Sequence, residues 1–186
     1  VDYLFQFDRG KIREETKQIG KPIVLYAPTF SSSLCSSSSL YEPIRQLSIQ
    51  GDFHWLVKFH PLMDPDVVSK YRELSNDNLE IIDDPDIIPY LHEADVMLTD
   101  TSSVVPEHLL LQKPVVTFRT RSPASHVMNF KKAEELESFL KKALSFPEES
   151  MTAAEKYIEQ IPPFVDCESI DRVLAAHVDF IDQLRV

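Results

Sequence analysis

The stretch from Ala94 to Phe118, ADVMLTDTSSVVPEHLLLQKPVVTF, constrains the fold more than any other part of the 186-residue chain. It contains two short apolar runs of the buried-strand type, Val96–Thr99 and Val115–Phe118, separated by a polar turn and an apolar helix. At the start of the helix, free backbone N–H groups and the positive end of the helix dipole face whatever lies beyond the first strand. The stretch therefore predicts a phosphate- or nucleotide-binding α/β domain.

The polar turn of this stretch consists of Asp100, Thr101, Ser102 and Ser103. An ordinary helix N-cap needs one such residue, whereas this turn has four. Ser102 and Ser103 add side-chain donors, and Asp100 can accept from a ribose or alcohol hydroxyl. Glu107 comes four residues after Ser103 on the same helix face, where it either accepts from a sugar or glycerol hydroxyl or is a solvated helix charge.

The rest of the chain also alternates between strand and helix patterns, which predicts an α/β fold with a doubly wound, mainly parallel, Rossmann-like sheet and C-terminal helices. If the strand order is the common 3-2-1-4-5, strands one and four flank the point where the order reverses and where ligands bind. We expect a linker or helix at 1–20 and one nucleotide-donor-binding domain at 21–186. Strands are expected at 23–27, 53–59, 79–82, 96–99, 115–118 and 126–128, and helices at 40–49, 64–74, 86–94, 133–144, 148–160 and 167–184.

Polar side chains also follow the other strands. Thr29 comes after strand one, and Lys58 and His60 end strand two before Pro61. Because Lys58 and His60 are two residues apart, they share one face of the strand and can bind a diphosphate, the lysine as a point charge and the histidine as a donor. The alternative is a lysine that reaches solvent and a histidine that caps backbone carbonyls. Arg119 after strand five either reaches a phosphate or is simply solvated.

The three glycines of the chain form neither a dinucleotide fingerprint nor a Walker-type phosphate loop. Phosphate contacts must therefore come from Ser, Thr, Lys, His and helix N-termini. The serine-rich segment SSSLCSSSS at 31–39 is either a flexible surface loop or a loop on the substrate side of the sheet.

A net charge of -11 argues against a protein that binds nucleic acid, and against one that binds membranes through a polybasic surface. No apolar run approaches the roughly 20 residues of a membrane helix, and the N-terminus has no signal-peptide pattern. The two cysteines are far apart and not in metal-binding spacing, so we expect a cytoplasmic protein without disulfides.

Three segments together resemble one protein family: VLYAPTF at 24–30, LVKFHP at 56–61, and the stretch from Ala94 to Phe118. They are similar to the C-terminal half of the CDP-glycerol glycerophosphotransferase family, the teichoic-acid-type polymerases and primases, which are GT-B proteins. The shared features are a Pro-Thr strand end, a Lys-x-His-Pro strand end, and a Thr-Asp-x-Ser-Ser turn followed by an apolar helix and Lys-Pro-Val. The resemblance covers about residues 20–145.

This resemblance implies that the chain binds a CDP-glycerol or related CDP-polyol donor. Lys58 and His60 would lie near the diphosphate, with Ser102 and Ser103 at the phosphate end and Asp100 positioning the turn. The hydroxyl of a polyol-phosphate or glycan acceptor would attack the β-phosphorus and CMP would leave, as a step in cell-envelope or surface polymer synthesis. Such phosphoryl transfer depends mainly on alignment and charge neutralisation.

The resemblance also implies what this half would lack. The family's N-terminal half faces the acceptor and offers a catalytic histidine, so we expect the acceptor-side base outside this chain. We predict no metal-ligating residues, although a divalent metal ion is compatible with the chemistry. Any peripheral association with the inner face of the membrane would involve parts outside this chain.

Two positions depart from the family pattern. Phe30 is followed by serine rather than arginine, and Thr101 stands where tyrosine is common.

Three other functions remain open. One alternative is a GT-B nucleotide-sugar glycosyltransferase or UDP-sugar 2-epimerase. Another is a non-catalytic nucleotide-binding module. A receiver-like domain with Asp100 as phosphoacceptor would need an acidic pair after strand one, where Pro28 and Thr29 stand instead.

Overall fold

Six parallel strands form one sheet, and helices cover both of its faces. The computed structural model describes residues 2–8, 10, 12, 20–121, 123–145 and 147–160. The strands are β1 (Ile23–Tyr26), β2 (His54–Val57), β3 (Leu79–Ile81), β4 (Val96–Thr99), β5 (Val115–Phe118) and β6 (Met128–Phe130). The helices are α1 (Asp2–Gln6), α2 (Ser37–Gln50), α3 (Pro65–Arg72), α4 (Ile88–Glu93), α5 (Val105–Leu110), α6 (Leu136–Leu144) and α7 (Glu148–Ile158).

The strand order is β3-β2-β1-β4-β5-β6, and every neighbouring pair is parallel. The predicted doubly wound α/β fold is confirmed, with β6 added beyond the expected five-strand order. The order reverses between β1 and β4, which pair directly through Val24 and Val96. The carboxyl ends of these two strands therefore open the crevice in which such sheets bind ligands.

The central strands are buried on both faces, which explains why they are continuous apolar runs rather than alternating ones. All four residues of β1, β4 and β5 are buried. One face packs Val24 and Tyr26 into a core with α2, α3 and α6, and the other packs Ile23 and Leu25 into a core with α1, α4 and α7.

The helix ends follow local sequence signals. In α2 the buried apolar residues are Leu40, Ile44 and Leu47, whose spacing puts them on one face of the helix. The helix ends at Gly51, whose φ of 83° and backbone N–H to the Leu47 carbonyl form a left-handed C-cap. Asp64 caps α3, because its side chain accepts from the Asp66 N–H.

Some boundaries differ from the sequence-based expectation. β2 ends at Val57, so Lys58 lies just past the strand. The sixth strand is Met128–Phe130 rather than 126–128, since the ring of His126 instead stacks on Tyr157 of α7 at 3.8 Å. Asp86 does bond the first turn of α4 through the Ile88 N–H, although the helix begins two residues later than predicted.

Both ends of the chain are only partly described. The expected helix at 167–184 lies outside the described residues, as does most of the polar segment 8–19. The N-terminal part does contain α1, where Leu4 is fully buried against the sheet domain and its carbonyl accepts from the ring of His92. No helix in the described ranges is both long enough and apolar enough to span a membrane.

Lys113, the lysine of the Lys-Pro-Val pattern, holds the end of α4. Its amine donates to the carbonyls of Leu91, His92 and Ala94 at 3.2, 2.6 and 2.6 Å. These carbonyls lie at the helix end, where intrahelical donors run out. We therefore expect Lys113→Met to lower the free energy of unfolding by about 2–3 kcal/mol, the size of hydrogen bonds to a charged group.

Urea denaturation would measure this effect, with Lys142→Met as the matched control because Lys142 is exposed on α6. An equal, small loss in both variants would contradict the capping role.

Candidate functional site

A cleft of about 380 Å³ opens beyond the carboxyl ends of β1, β2 and β4. It brings together Thr29, Lys58, His60 and the turn of Thr101, Ser102 and Ser103. Its apolar walls come from Ala27, Pro28, Phe30, Phe59, Pro61, Pro85, Ile87 and Val104. Three strand ends predicted from the sequence to carry polar groups thus meet in one place.

Lys58 is a buried cation at the edge of this cleft, with only 8% of its surface exposed. Its amine donates to the Asp84 carbonyl and lies 5.9 Å from the ring centre of Tyr90. Burial lowers the pKa of this amine from its ordinary value, against the opposing charges of Asp84, Asp86 and Asp83. Lys58 is therefore not the solvent-directed lysine of the alternative interpretation, and its positive charge is only partly hydrated.

His60 is exposed at the mouth of the cleft, and its tautomer follows from its contacts. Nδ1 accepts a hydrogen bond from the Leu62 N–H at 3.1 Å. A neutral imidazole that accepts at Nδ1 carries its proton on Nε2, which makes Nε2 a hydrogen-bond donor. On its other side the ring stacks on Phe30, with 4.5 Å between ring centres. The histidine thus receives a backbone N–H instead of capping a carbonyl.

Asp100 joins the loops on which the cleft is built. It is 2% exposed, and its Oδ1 accepts from the N–H groups of Thr29 and Thr101 at 2.8 and 2.6 Å. Its Oδ2 accepts from the Ser36 N–H and hydroxyl, both at 2.8 Å. Its backbone carbonyl accepts from the Thr120 hydroxyl. The carboxylate accepts from the protein itself, which fits the positioning role that the resemblance implies for Asp100 better than a contact with a ligand hydroxyl.

The serine-rich segment fits neither of its two interpretations fully. Its last three residues, 37–39, belong to α2, and Ser36 is buried beside Asp100. Because the Ser36 hydroxyl donates to Asp100, the Tyr26 hydroxyl at 2.8 Å must donate to Ser36. Burial raises the pKa of the Tyr26 phenol well above its ordinary value, which keeps it a neutral donor. The segment supports the wall of the cleft from behind and does not line it.

The turn after β4 contributes three hydroxyl-bearing residues, Thr101, Ser102 and Ser103, to the lining of the cleft. Ser103 is exposed, and Ser102 is half-buried with its Oγ 3.5 Å from the Val104 N–H. Glu107 follows in the first turn of α5, outside the lining of the cleft. Its Oε2 is buried and has no hydrogen-bond partner among the described residues.

Arg119 is not brought into the cleft. Its backbone has a positive φ of 54°, and its side chain contacts the residue that follows β6. There Nε donates to the Lys131 carbonyl at 2.9 Å, and the guanidinium lies 4.6 Å from the centre of the Phe118 ring. Among the described residues, no group of three or more His, Cys, Asp or Glu side chains could hold a metal ion.

Three features of the site were not predicted from the sequence. Phe30 lines the cleft and covers His60, and Pro85 and Ile87 form a wall from the loop after β3. Phe30 had a local signal, since it follows the Pro-Thr strand end. The loop after β3 had none, because its place beside the cleft depends on the strand order.

The network around Asp100 gives a direct prediction. In Asp100→Asn the amide would turn its NH₂ toward one of two pairs of donors, either Thr29 and Thr101 or the two donors of Ser36. We expect a loss of about 3 kcal/mol in the free energy of unfolding, since a buried donor then faces donors. Asp77→Asn, at an exposed aspartate, is the control in urea denaturation. Equal stability of both variants would contradict the proposed network.

A family model for CDP-glycerol:poly(glycerophosphate) glycerophosphotransferase matches residues 1–122. The chain belongs to this family. Among curated proteins, it is similar to the teichoic acid glycerol-phosphate primase of Bacillus subtilis (strain 168), with 29% identity over 120 residues. That match covers 63% of this chain and 31% of the primase. The resemblance seen in the sequence is thus confirmed at the level of the family.

Solved structures show the same fold at low sequence identity. A variant of the wall teichoic acid polymerase TagF, soaked with CDPG, has a TM-score of 0.60 and 18% identity and covers 98% of this chain and 49% of TagF. A putative UDP-N-acetylglucosamine 2-epimerase from Listeria monocytogenes has a TM-score of 0.66 and 18% identity, covering 98% of this chain and 52% of the epimerase. This glycerophosphotransferase-family chain therefore spans about a third of the primase and about half of each solved protein.

Proposed function

We propose that the cleft binds the diphosphate of a CDP-glycerol or related CDP-polyol donor. The observation that carries this proposal is the meeting of Lys58, His60 and the Thr101–Ser103 turn in one cleft at the strand-order reversal. Lys58 brings a partly desolvated positive charge, His60 an Nε2–H donor, and the turn hydroxyl and backbone donors. The family supplies the class of donor.

The residues of the cleft are suited to stabilise the leaving group of a phosphoryl transfer. The acceptor hydroxyl oxygen would bond to the β-phosphorus, and the bond from that phosphorus to the bridging oxygen would break to release CMP. Negative charge that develops on the departing phosphate would be offset by Lys58 and by the His60 Nε2–H. His60 is not placed as a base, because Nδ1 already accepts from Leu62 and Nε2 carries the proton.

The proton of the acceptor hydroxyl would then pass to a base that the family's other half provides. The primase relative supports an acceptor in envelope polymer synthesis, a polyol phosphate or a glycan. Glu107 is given no donor contact in this proposal, because it lies outside the lining of the cleft and its Oε2 is buried.

Calorimetric titration of the protein with CDP-glycerol, CMP and UDP-N-acetylglucosamine tests the proposal. We expect saturable one-to-one binding of CDP-glycerol, competition by CMP, and much weaker binding of the UDP-sugar.

The GT-B nucleotide-sugar enzymes are the second candidate, since the epimerase shares the fold with a TM-score of 0.66. Tighter binding of UDP-N-acetylglucosamine than of CDP-glycerol would favour that function and contradict ours. Absence of binding by every nucleotide would contradict both functions and favour a degenerate scaffolding module without catalysis.

A further inference from the structure

Phe30 is an exposed aromatic ring at the mouth of the cleft. Its side chain is 44% exposed, although large aromatic residues elsewhere in the described sheet, such as Trp55 and Phe130, are almost fully buried. Its ring lies nearly parallel to that of His60, with 4.5 Å between centres and 26° between planes. The contact joins the loop after β1 to the end of β2 and spans the cleft mouth.

Hydrogen bonds restrain both partners of this stack. On the Phe30 side, the preceding residue Thr29 donates its N–H to the buried carboxylate of Asp100 at 2.8 Å. On the histidine side, the Leu62 N–H donates to Nδ1 of His60 at 3.1 Å. The imidazole is therefore held along one edge by a hydrogen bond and over one face by the phenyl ring. His60 lines the cleft, and Nε2 is the ring nitrogen that these contacts leave available to donate.

We propose that Phe30 is a positioning residue for His60, which holds the imidazole so that Nε2–H is directed at the diphosphate of the donor. An exposed histidine without this stack could rotate about its side-chain bonds and lose the Leu62 hydrogen bond. It would then spend less time as an aligned donor, and an aligned donor is what charge neutralisation at a phosphate requires. The inference rests on the proposed function.

Binding measurements separate positioning from general packing. We expect Phe30→Leu to weaken CDP-glycerol binding by about threefold to tenfold, less than loss of the whole hydrogen bond to a charged group. Phe30→Trp, which keeps a stacking ring, should restore most of the affinity. Phe5→Leu is the matched control, because Phe5 is 37% exposed on α1 and away from the cleft. In a His60→Ala background, Phe30→Leu should cause no further loss, since its effect acts through the histidine.

Nitrogen-15 NMR of the unliganded protein tests the same inference without any ligand. In mildly alkaline buffer, His60 should show a pyridine-type Nδ1 and a pyrrole-type Nε2, and Phe30→Leu should mix the two tautomers while Phe5→Leu should not. A pyrrole-type Nδ1 in the wild type, or unchanged signals in Phe30→Leu, would overturn the proposal. An additive loss in the double variant would overturn it too.

The two proposals fail in different ways. If His60→Ala binds CDP-glycerol as tightly as the wild type, the diphosphate contact of the proposed function is wrong, and the NMR result still decides whether Phe30 holds the ring. If His60→Ala weakens binding but Phe30→Leu leaves both affinity and tautomer unchanged, the function stands and the positioning role is wrong.

Discussion

Lys58→Ala and His60→Ala are each expected to weaken CDP-glycerol binding by about tenfold to a hundredfold. The expected size is that of one hydrogen bond or ion pair to a charged group, about 1.5–3 kcal/mol, with 1.4 kcal/mol per tenfold. Lys58 contributes a positive charge that is already partly dehydrated by burial. His60 contributes an Nε2–H donor, because its Nδ1 accepts the Leu62 N–H. Calorimetric titration of each variant measures the loss.

His54→Ala is the matched control for these two variants. His54 lies in β2 only four residues before Lys58, but its side chain is 13% exposed and faces Glu80 at 3.7 Å, outside the cleft. We expect its affinity for CDP-glycerol to equal that of the wild type. Equal losses at all three positions, or no loss at any, would overturn the assignment of the cleft.

His108 is expected to make the fold sensitive to acid. It is fully buried in α5, and neither ring nitrogen has a hydrogen-bond partner among the described residues. Burial, helped by the nearby charges of Lys113 and His92, lowers its pKa from 6.5 to about 3. In the unfolded chain His108 therefore binds a proton below about pH 6.5, whereas in the folded chain it stays neutral until the pH falls to about 3.

The contribution of neutral His108 to stability is fully present above pH 6.5 and is lost as the pH falls toward 3, by up to roughly 5 kcal/mol at 1.36 kcal/mol per pKa unit. That is a large part of the 5–15 kcal/mol that stabilises a typical domain.

Urea denaturation across this pH range should show a steep fall for the wild type and a much flatter one for His108→Leu, which has no titrating ring. Parallel curves for the two proteins would contradict the buried, neutral state of His108.

The strands of the sheet were predictable because each one is marked by a pattern of apolar residues within its own short segment. Runs such as Val96–Thr99 and Val115–Phe118 are buried on both faces, so they are uniformly apolar and their bounds match the observed strands. The strand order followed from general rules for parallel α/β sheets, and it placed Lys58 and His60 beside the Thr101–Ser103 turn.

The roles of individual polar residues were less predictable, because they depend on partners distant in sequence. The chemistry of Asp100 allowed a ligand contact and the resemblance implied a positioning role; in the structure its carboxylate accepts from Thr29 and Ser36, 71 and 64 residues away. For Arg119 the sequence left a phosphate contact and a solvated side chain open, and in the structure the exposed side chain donates to the Lys131 carbonyl outside the cleft. No periodicity in the sequence encodes such contacts.

A contact distant in sequence also accompanies the shift of one strand. The sixth strand was expected at 126–128, but His126 stacks on Tyr157 of α7, and the pairing with β5 instead uses Met128 to Phe130. The stacking partner lies 31 residues further along the chain, beyond the window that a strand pattern covers.

A crystal structure of the protein with bound CDP-glycerol would show where the diphosphate lies. We expect it within hydrogen-bond distance, about 2.7–3.2 Å, of Lys58, His60 and the Thr101–Ser103 turn. A nucleotide bound elsewhere, for example in the small groove beside Gln112 and Met151, with the cleft between β1, β2 and β4 left empty, would contradict it.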